Sequence, residues 1–150
     1  MRKKHWISRS EKETLLLAGR IAKKAGPGQI LCLSGPLGSG KTVFARGLAR
    51  GFGYKGYVSS PSFALIQVYR VRNGRRVVVY HMDWYRLKGA ELAGIGLEEC
   101  LLDPRGVAIV EWPEVGREYL PPRRIEIKFE ILSPSKRRIS MTPVGPGWGQ

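Results

Sequence analysis

The hydrophobic pattern changes period several times along the chain. Ser10 followed by Glu13 makes a capping box ahead of TLLLAGRIAKKA, predicting a helix over 11–25 that stops at Gly26-Pro27-Gly28. Residues 30–34 (ILCLS) form a short unbroken apolar run, the pattern of a strand buried on both faces. A glycine-rich turn leads into a helix over 41–51, with Arg46 and Arg50 one turn apart on its solvent face and Gly51 and Gly53 at its end. ALIQVYRV and VVVYHMDWY read as two strands joined at Asn73-Gly74, a hairpin signal. Residues 88–102 read as a broken, partly helical segment. VAIVEW (107–112) is another apolar strand, stopped by Pro113. IEIKFEIL (125–132) puts Ile125, Ile127, Phe129 and Ile131 on one face, as in a half-exposed antiparallel strand, and KRRISMT (136–142) pairs with it.

This order of elements predicts one three-layer α/β domain with a mixed sheet, spanning 1–142. VGPGWGQ has no pattern, so 143–150 reads as a flexible tail. The 150 residues suit one domain, and 43% hydrophobic with 25% charged residues excludes a disordered or collagen-like chain. No apolar run is long enough to span a membrane, and the basic start MRKKHWISRSEK has no apolar run behind it. Cys32 and Cys100 lie in apolar contexts without paired spacing, so both read as buried reduced thiols of a cytoplasmic protein.

Charge changes the picture. The formal net charge is +14, and it is uneven: residues 1–90 carry 18 basic and 3 acidic side chains, whereas 91–118 carry 2 and 7. Such a field favours polyanions, nucleotides or nucleic acid. The competing reading is an arginine-rich surface with no specific partner.

Residues 35–42 read GPLGSGKT, a full match to G-x-x-x-x-G-K-[ST], and the required strand and helix flank it. Gly35, Gly38 and Gly40 let the backbone turn its N–H groups toward phosphate, and the helix adds its positive end. Lys41 can reach the β- and γ-phosphates, and Thr42 can ligate Mg²⁺. The loop Pro36, Leu37, Gly38, Ser39, Gly40, Lys41 and Thr42 is therefore a candidate nucleotide cradle, the signature of a P-loop NTPase fold.

Hydrolysis also needs an acid beside the metal. Glu111 closes VAIVE in the Walker B pattern, where it could hold Mg²⁺ or polarise the attacking water. Asp83 ends a strand whose alternation sets Val77, Val79, His81 and Asp83 on one face. Either acid could instead cap a loop or pair with an arginine. His81 reads as a neutral structural histidine rather than a proton carrier. The hydroxyl-rich SSPS at 59–62 reads as a γ-phosphate-sensing loop or an ordinary turn.

In order, LCLSGPLGSGKT, SSPSF, HMDWYRL, GIGLEE and IVEWPE resemble the signature blocks of the TsaE (YjeE) family, over about residues 8–142. The resemblance implies a mixed-sheet P-loop ATPase with ATP and Mg²⁺ as ligands. It would act with TsaD and TsaB in threonylcarbamoyl transfer to adenosine 37 of tRNA, its hydrolysis slow alone and stimulated by that complex. By position the resemblance implies Thr42 and Glu111 as Mg²⁺ ligands, Lys41 on the phosphates and Asp83 supporting metal or water. Ser62 would belong to a switch-like loop and Trp112 would lie beside the nucleotide. The family usually has Asp at Pro36 and Thr at Ser62. The +14 charge is not implied by the resemblance, and it makes tRNA a candidate direct ligand. Two other classes fit a P-loop: a small kinase, which needs a lid and acceptor pocket for which little chain remains, and a non-hydrolysing nucleic-acid or scaffold module.

Overall fold

The computed structural model describes residues 1–59, 61, 65–72 and 76–148. Its strands are β1 (Lys4–Ser8), β2 (Ile30–Ser34), β3 (Ile66–Arg70), β4 (Val78–Asp83), β5 (Gly106–Glu111), β6 (Arg124–Ser133) and β7 (Lys136–Val144). They form a seven-stranded sheet in the order β1-β7-β6-β2-β5-β4-β3. The helices are α1 (Glu11–Lys24), α2 (Lys41–Gly51) and the short α3 (Leu97–Leu101), with 3₁₀ segments at Gly89–Gly94 and Pro113–Tyr119. Among the described residues, no helix is long and apolar enough to cross a membrane.

The predicted cap is present: Ser10 Oγ accepts the Glu13 N–H at 3.1 Å, while Glu13 accepts the Arg9 N–H at 2.7 Å. α1 and α2 pack together on one face of the sheet, against Leu31 and Leu33 of β2, Val107 and Ile109 of β5, and Ile125, Ile127 and Phe129 of β6. The other face packs Ile30, Cys32, Ala108 and Val110 against Trp84, Leu92, Leu97 and Leu101. β2 is thus buried on both faces, as its unbroken apolar run requires. Three layers result, helices over each face of a mixed sheet.

Several expectations need correcting. β6 is a central strand: it runs parallel to β2 on one side and antiparallel to β7 on the other. Its alternation holds through Phe129, but Ile131, at the register shift that precedes the turn into β7, is exposed. The basic start contains β1, an edge strand paired antiparallel with β7. The tail does not begin at 143: β7 runs through Val144, and the Trp148 indole N–H donates to Val144 O at 2.9 Å. Arg46 is half-buried, its Nε donating to Val58 O, and Cys100 is also only half-buried. β3 and β4 pair antiparallel as predicted. The Asn73-Gly74 turn lies outside the described residues.

Candidate nucleotide site

The P-loop joins the carboxyl end of β2 to α2, so the first N–H groups of α2 point out of the sheet's end. Gly38 (φ 73°) and Gly40 (φ 99°) take left-handed backbone conformations that a side chain would disfavour. Around the loop lies a cleft of about 390 Å³, lined by P-loop atoms and by Asp83, Tyr85, Glu111 and Trp112. Leu37 is exposed at its mouth. Ser39 is buried, and among the described residues its hydroxyl has no hydrogen-bond partner.

Lys41 Nζ donates to the carbonyls of Gly35 (2.5 Å) and Pro36 (2.9 Å). It also lies 4.2 Å from the centre of the Trp112 ring. Burial pulls its pKa below the ordinary lysine value, opposed by the negative charges of Glu111, Glu114 and Asp83. Pro36 therefore contributes its carbonyl rather than its ring. Trp112 has φ 58°, and its ring packs 4.7 Å from that of Tyr85.

Thr42 Oγ1 donates to Glu111 Oε1 at 2.9 Å, although 69 positions separate them. β2 and β5 run parallel side by side, so the end of one delivers the P-loop hydroxyl and the end of the other the acid. The second oxygen of Glu111 is 2.6 Å from His81 Nε2, and both side chains are buried. His81 is structural in burial, yet it belongs to the site. Asp83 lies across the ladder from Glu111, and its Oδ1 accepts the Tyr85 N–H at 2.9 Å. Burial raises the Asp83 pKa above the ordinary aspartate value, partly offset by that N–H. Lys41, Thr42, Asp83, Glu111 and Trp112 are thus brought together. Ser62 lies outside the described residues.

The oxygens of Thr42 and Glu111 are hard donors suited to Mg²⁺, and Ser39 offers an unpaired hydroxyl nearby. Among the described residues, no three His, Cys, Asp or Glu side chains gather into a metal cage. A Mg²⁺ ion here would take its remaining ligands from phosphate and water, the usual arrangement for this ion.

A second cleft of about 300 Å³ opens on the other side of the P-loop. Ser10, Glu11, Thr14, Pro134, Ser135 and Arg137 line it together with Gly38, Ser39 and Gly40. Arg137 donates to Gly38 O at 3.1 Å, tying the β6–β7 turn to the phosphate loop. Sequence reasoning missed these residues, because nothing in their spacing links positions near 10 with positions near 135.

The sequence matches the family described as "Threonylcarbamoyl adenosine biosynthesis protein TsaE" over residues 8–139. It is 37% identical over 145 residues to the tRNA threonylcarbamoyladenosine biosynthesis protein TsaE of Bacillus subtilis, covering 97% of this chain and 89% of that one. The protein of the same name from Treponema pallidum is 35% identical, over 90% of this chain and 97% of its own. The crystal structure of Bacillus subtilis YdiB superposes with a TM-score of 0.79 at 34% identity, covering 96% of this chain and 87% of that one.

Proposed function

The chain belongs to the TsaE family, whose role is in threonylcarbamoyladenosine biosynthesis on tRNA, and on that premise we propose that it is a Mg²⁺-dependent ATPase of that process. It acts with the TsaD and TsaB subunits, which carry out threonylcarbamoyl transfer and stimulate its otherwise slow hydrolysis. The observation that carries this reading is the 2.9 Å bond between the P-loop hydroxyl of Thr42 and the strand-end carboxylate of Glu111.

Each residue has a task in that reaction. Lys41 leaves the Gly35 and Pro36 carbonyls to take the β- and γ-phosphates, and the P-loop N–H groups neutralise the remaining phosphate charge. Thr42 and Glu111 would hold Mg²⁺, which when bound draws charge off the phosphate oxygens. Asp83, at the adjacent strand end, orients water in the cleft. Trp112 walls the site and keeps the lysine over its face. The cleft lined by Ser10, Thr14 and Arg137 receives the nucleoside, since it opens beyond the same P-loop glycines.

The test combines a fluorescent ATP analogue with phosphate release, with and without purified TsaD and TsaB. Submicromolar to micromolar binding, slow turnover alone and at least about tenfold stimulation by the pair are expected. Absence of nucleotide binding would remove the P-loop assignment, and turnover indifferent to the pair would remove the partnership.

A further inference from the structure

The basic residues of the amino-terminal half do not form one surface. β1, with Lys4, is one edge of the sheet and β3 is the other. The group near β3 instead gains a member from a distant part of the chain. Arg70, Arg72, Arg76 and Arg105 surround a depression of about 580 Å³ where β3 ends and β4 and β5 begin. Val78 N–H donates to Arg105 O at 3.2 Å and Val78 pairs with Gly106, which fixes the Arg105 loop beside the hairpin. The P-loop follows the carboxyl end of β2, which is parallel to β5, so this depression is at the opposite end of the sheet from the nucleotide.

All four arginines are exposed, and among the described residues none has a carboxylate within ion-pair distance. The neighbouring acid is already engaged: Asp103 accepts the Tyr80 hydroxyl at 2.7 Å and the Arg105 backbone N–H at 2.9 Å. Val71 and Val77 in the lining are each only 4% exposed, and among the described residues no aromatic ring lines it. The depression therefore offers guanidinium forks without the apolar or aromatic anchors on which protein interfaces rest. It also lacks the rings on which unpaired bases stack. Arginine forks match phosphate oxygens two at a time.

We infer that this arginine-lined end of the sheet is a phosphate-backbone binding surface for structured RNA, engaged without base readout. The inference rests on the proposed role in tRNA modification for its choice of RNA, and it adds a direct contact made by this chain.

Fluorescence anisotropy of full-length protein with labelled unmodified tRNA, at about 50 and 200 mM salt, tests it. Four phosphate contacts predict a log–log salt slope near −3, at about −0.7 to −0.9 per contact. The Arg72→Glu/Arg76→Glu variant should weaken binding at least about tenfold at the lower salt and flatten the slope by about 1.5. Lys3→Glu/Lys4→Glu makes the same change in net charge beside the far edge strand and should leave the slope as it is. Binding of the fluorescent ATP analogue is measured in parallel and should be unaltered in both variants, so failure of the nucleotide site is read separately. Three results would overturn the inference: no tRNA binding at the lower salt, equal losses in the two variants, or unchanged tRNA binding in the arginine variant. Loss of TsaD–TsaB stimulation alongside unchanged tRNA binding would assign the surface to a protein instead.

Discussion

His81 Nε2 and Glu111 Oε2 are 2.6 Å apart with side chains 1% and 2% exposed, and the other Glu111 oxygen accepts the Thr42 hydroxyl. The carboxylate is therefore gripped at both ends inside the sheet, one oxygen aimed into the cleft. Histidines that hold a functional carboxylate in this way set its direction, and losing such a support commonly costs about 10- to 100-fold in metal affinity or activity. His81→Ala should lower partner-stimulated turnover by at least about tenfold with ATP-analogue affinity changed less than about threefold. It should also cost about 1–3 kcal/mol of stability, since a buried oxygen loses its partner. His81→Gln, with an amide N–H of similar reach, should restore part of the turnover. Activity that tracks the melting temperature alone, with no rescue by glutamine, would reduce His81 to packing.

Lys41→Ala should act on binding rather than turnover. The ammonium lies among the P-loop carbonyls, where the proposed ATPase reaction would bring the phosphates, and a charge-assisted contact to them would contribute about 1.5–3 kcal/mol. Calorimetry with Mg-ATP should show affinity at least about tenfold weaker, and retention within about twofold would exclude the lysine from the phosphate site.

Glu111→Ala and Asp83→Ala should show the converse. Groups that hold metal or orient water act more strongly in the transition state than in the ground state. Stimulated phosphate release should fall about 10²-fold or more while the ATP analogue still binds. Near-normal stimulated release in either variant would take that residue out of the reaction. Glu111 has the larger expected effect, because it also holds Thr42.

The sequence reveals most where glycine and proline punctuate it and where a pattern carries its own geometry. β2 and α2 fall where the ILCLS run and the glycine-rich loop put them. Lys41 and Thr42 follow from the motif, Glu111 and Asp83 from their strand-end positions, and Trp112 from the family resemblance alone. β1 is obscured because Lys4 and His5 are exposed, so the edge strand shows almost no apolar alternation. β6 is misread because alternation reports which face is buried but not the direction of a neighbouring strand. The role of His81 depends on a cross-strand relation: it lies on β4 opposite Ile109, two positions short of Glu111 on the same face of β5. That proximity exists only once β4 and β5 are in register. Arg105 joins the hairpin arginines by the same ladder.

Cys32 should make the protein sensitive to alkali. Burial, the largest influence, raises its thiol from 9.0 to about 12. Between those values the unfolded chain has lost the proton and the native state still holds it, so stability falls as pH rises. The contribution is complete below pH 9 and is lost as pH climbs toward 12, with a slope of at most about 1.4 kcal/mol per pH unit from this group. Tyr80, raised to about 12 by burial and its bond to Asp103, adds the same trend above pH 10. Urea melts at pH 7 to 10.5 should show declining midpoints, and Cys32→Ala should flatten the decline above pH 9. An unchanged pH slope in that variant would show that the thiol does not govern the loss.

The helix that carries Lys41 and Thr42 is held at its depth by a glycine contact with α1. A Cβ on Gly47 would stand 2.7 Å from both Ala18 Cβ and Leu15 O, closer than packed atoms approach. A Cβ on Gly19, one turn along the same crossing, would find nothing nearer than Gly47 O at 3.8 Å. The two substitutions share a chemistry and should differ in sign. Gly47→Ala must push α2 away from α1 and should destabilise by about 1–3 kcal/mol, as overpacked cores do. Gly19→Ala fills open space in a helix interior and should be neutral or stabilise by up to about 1 kcal/mol. Because α2 begins at the P-loop, the Gly47→Ala shift should also weaken ATP-analogue binding, whereas Gly19→Ala should leave it unchanged. Chemical denaturation and analogue titration of the pair test this directly: equal effects of the two alanines would mean that the helix crossing, and not the local glycine, absorbs the added methyl.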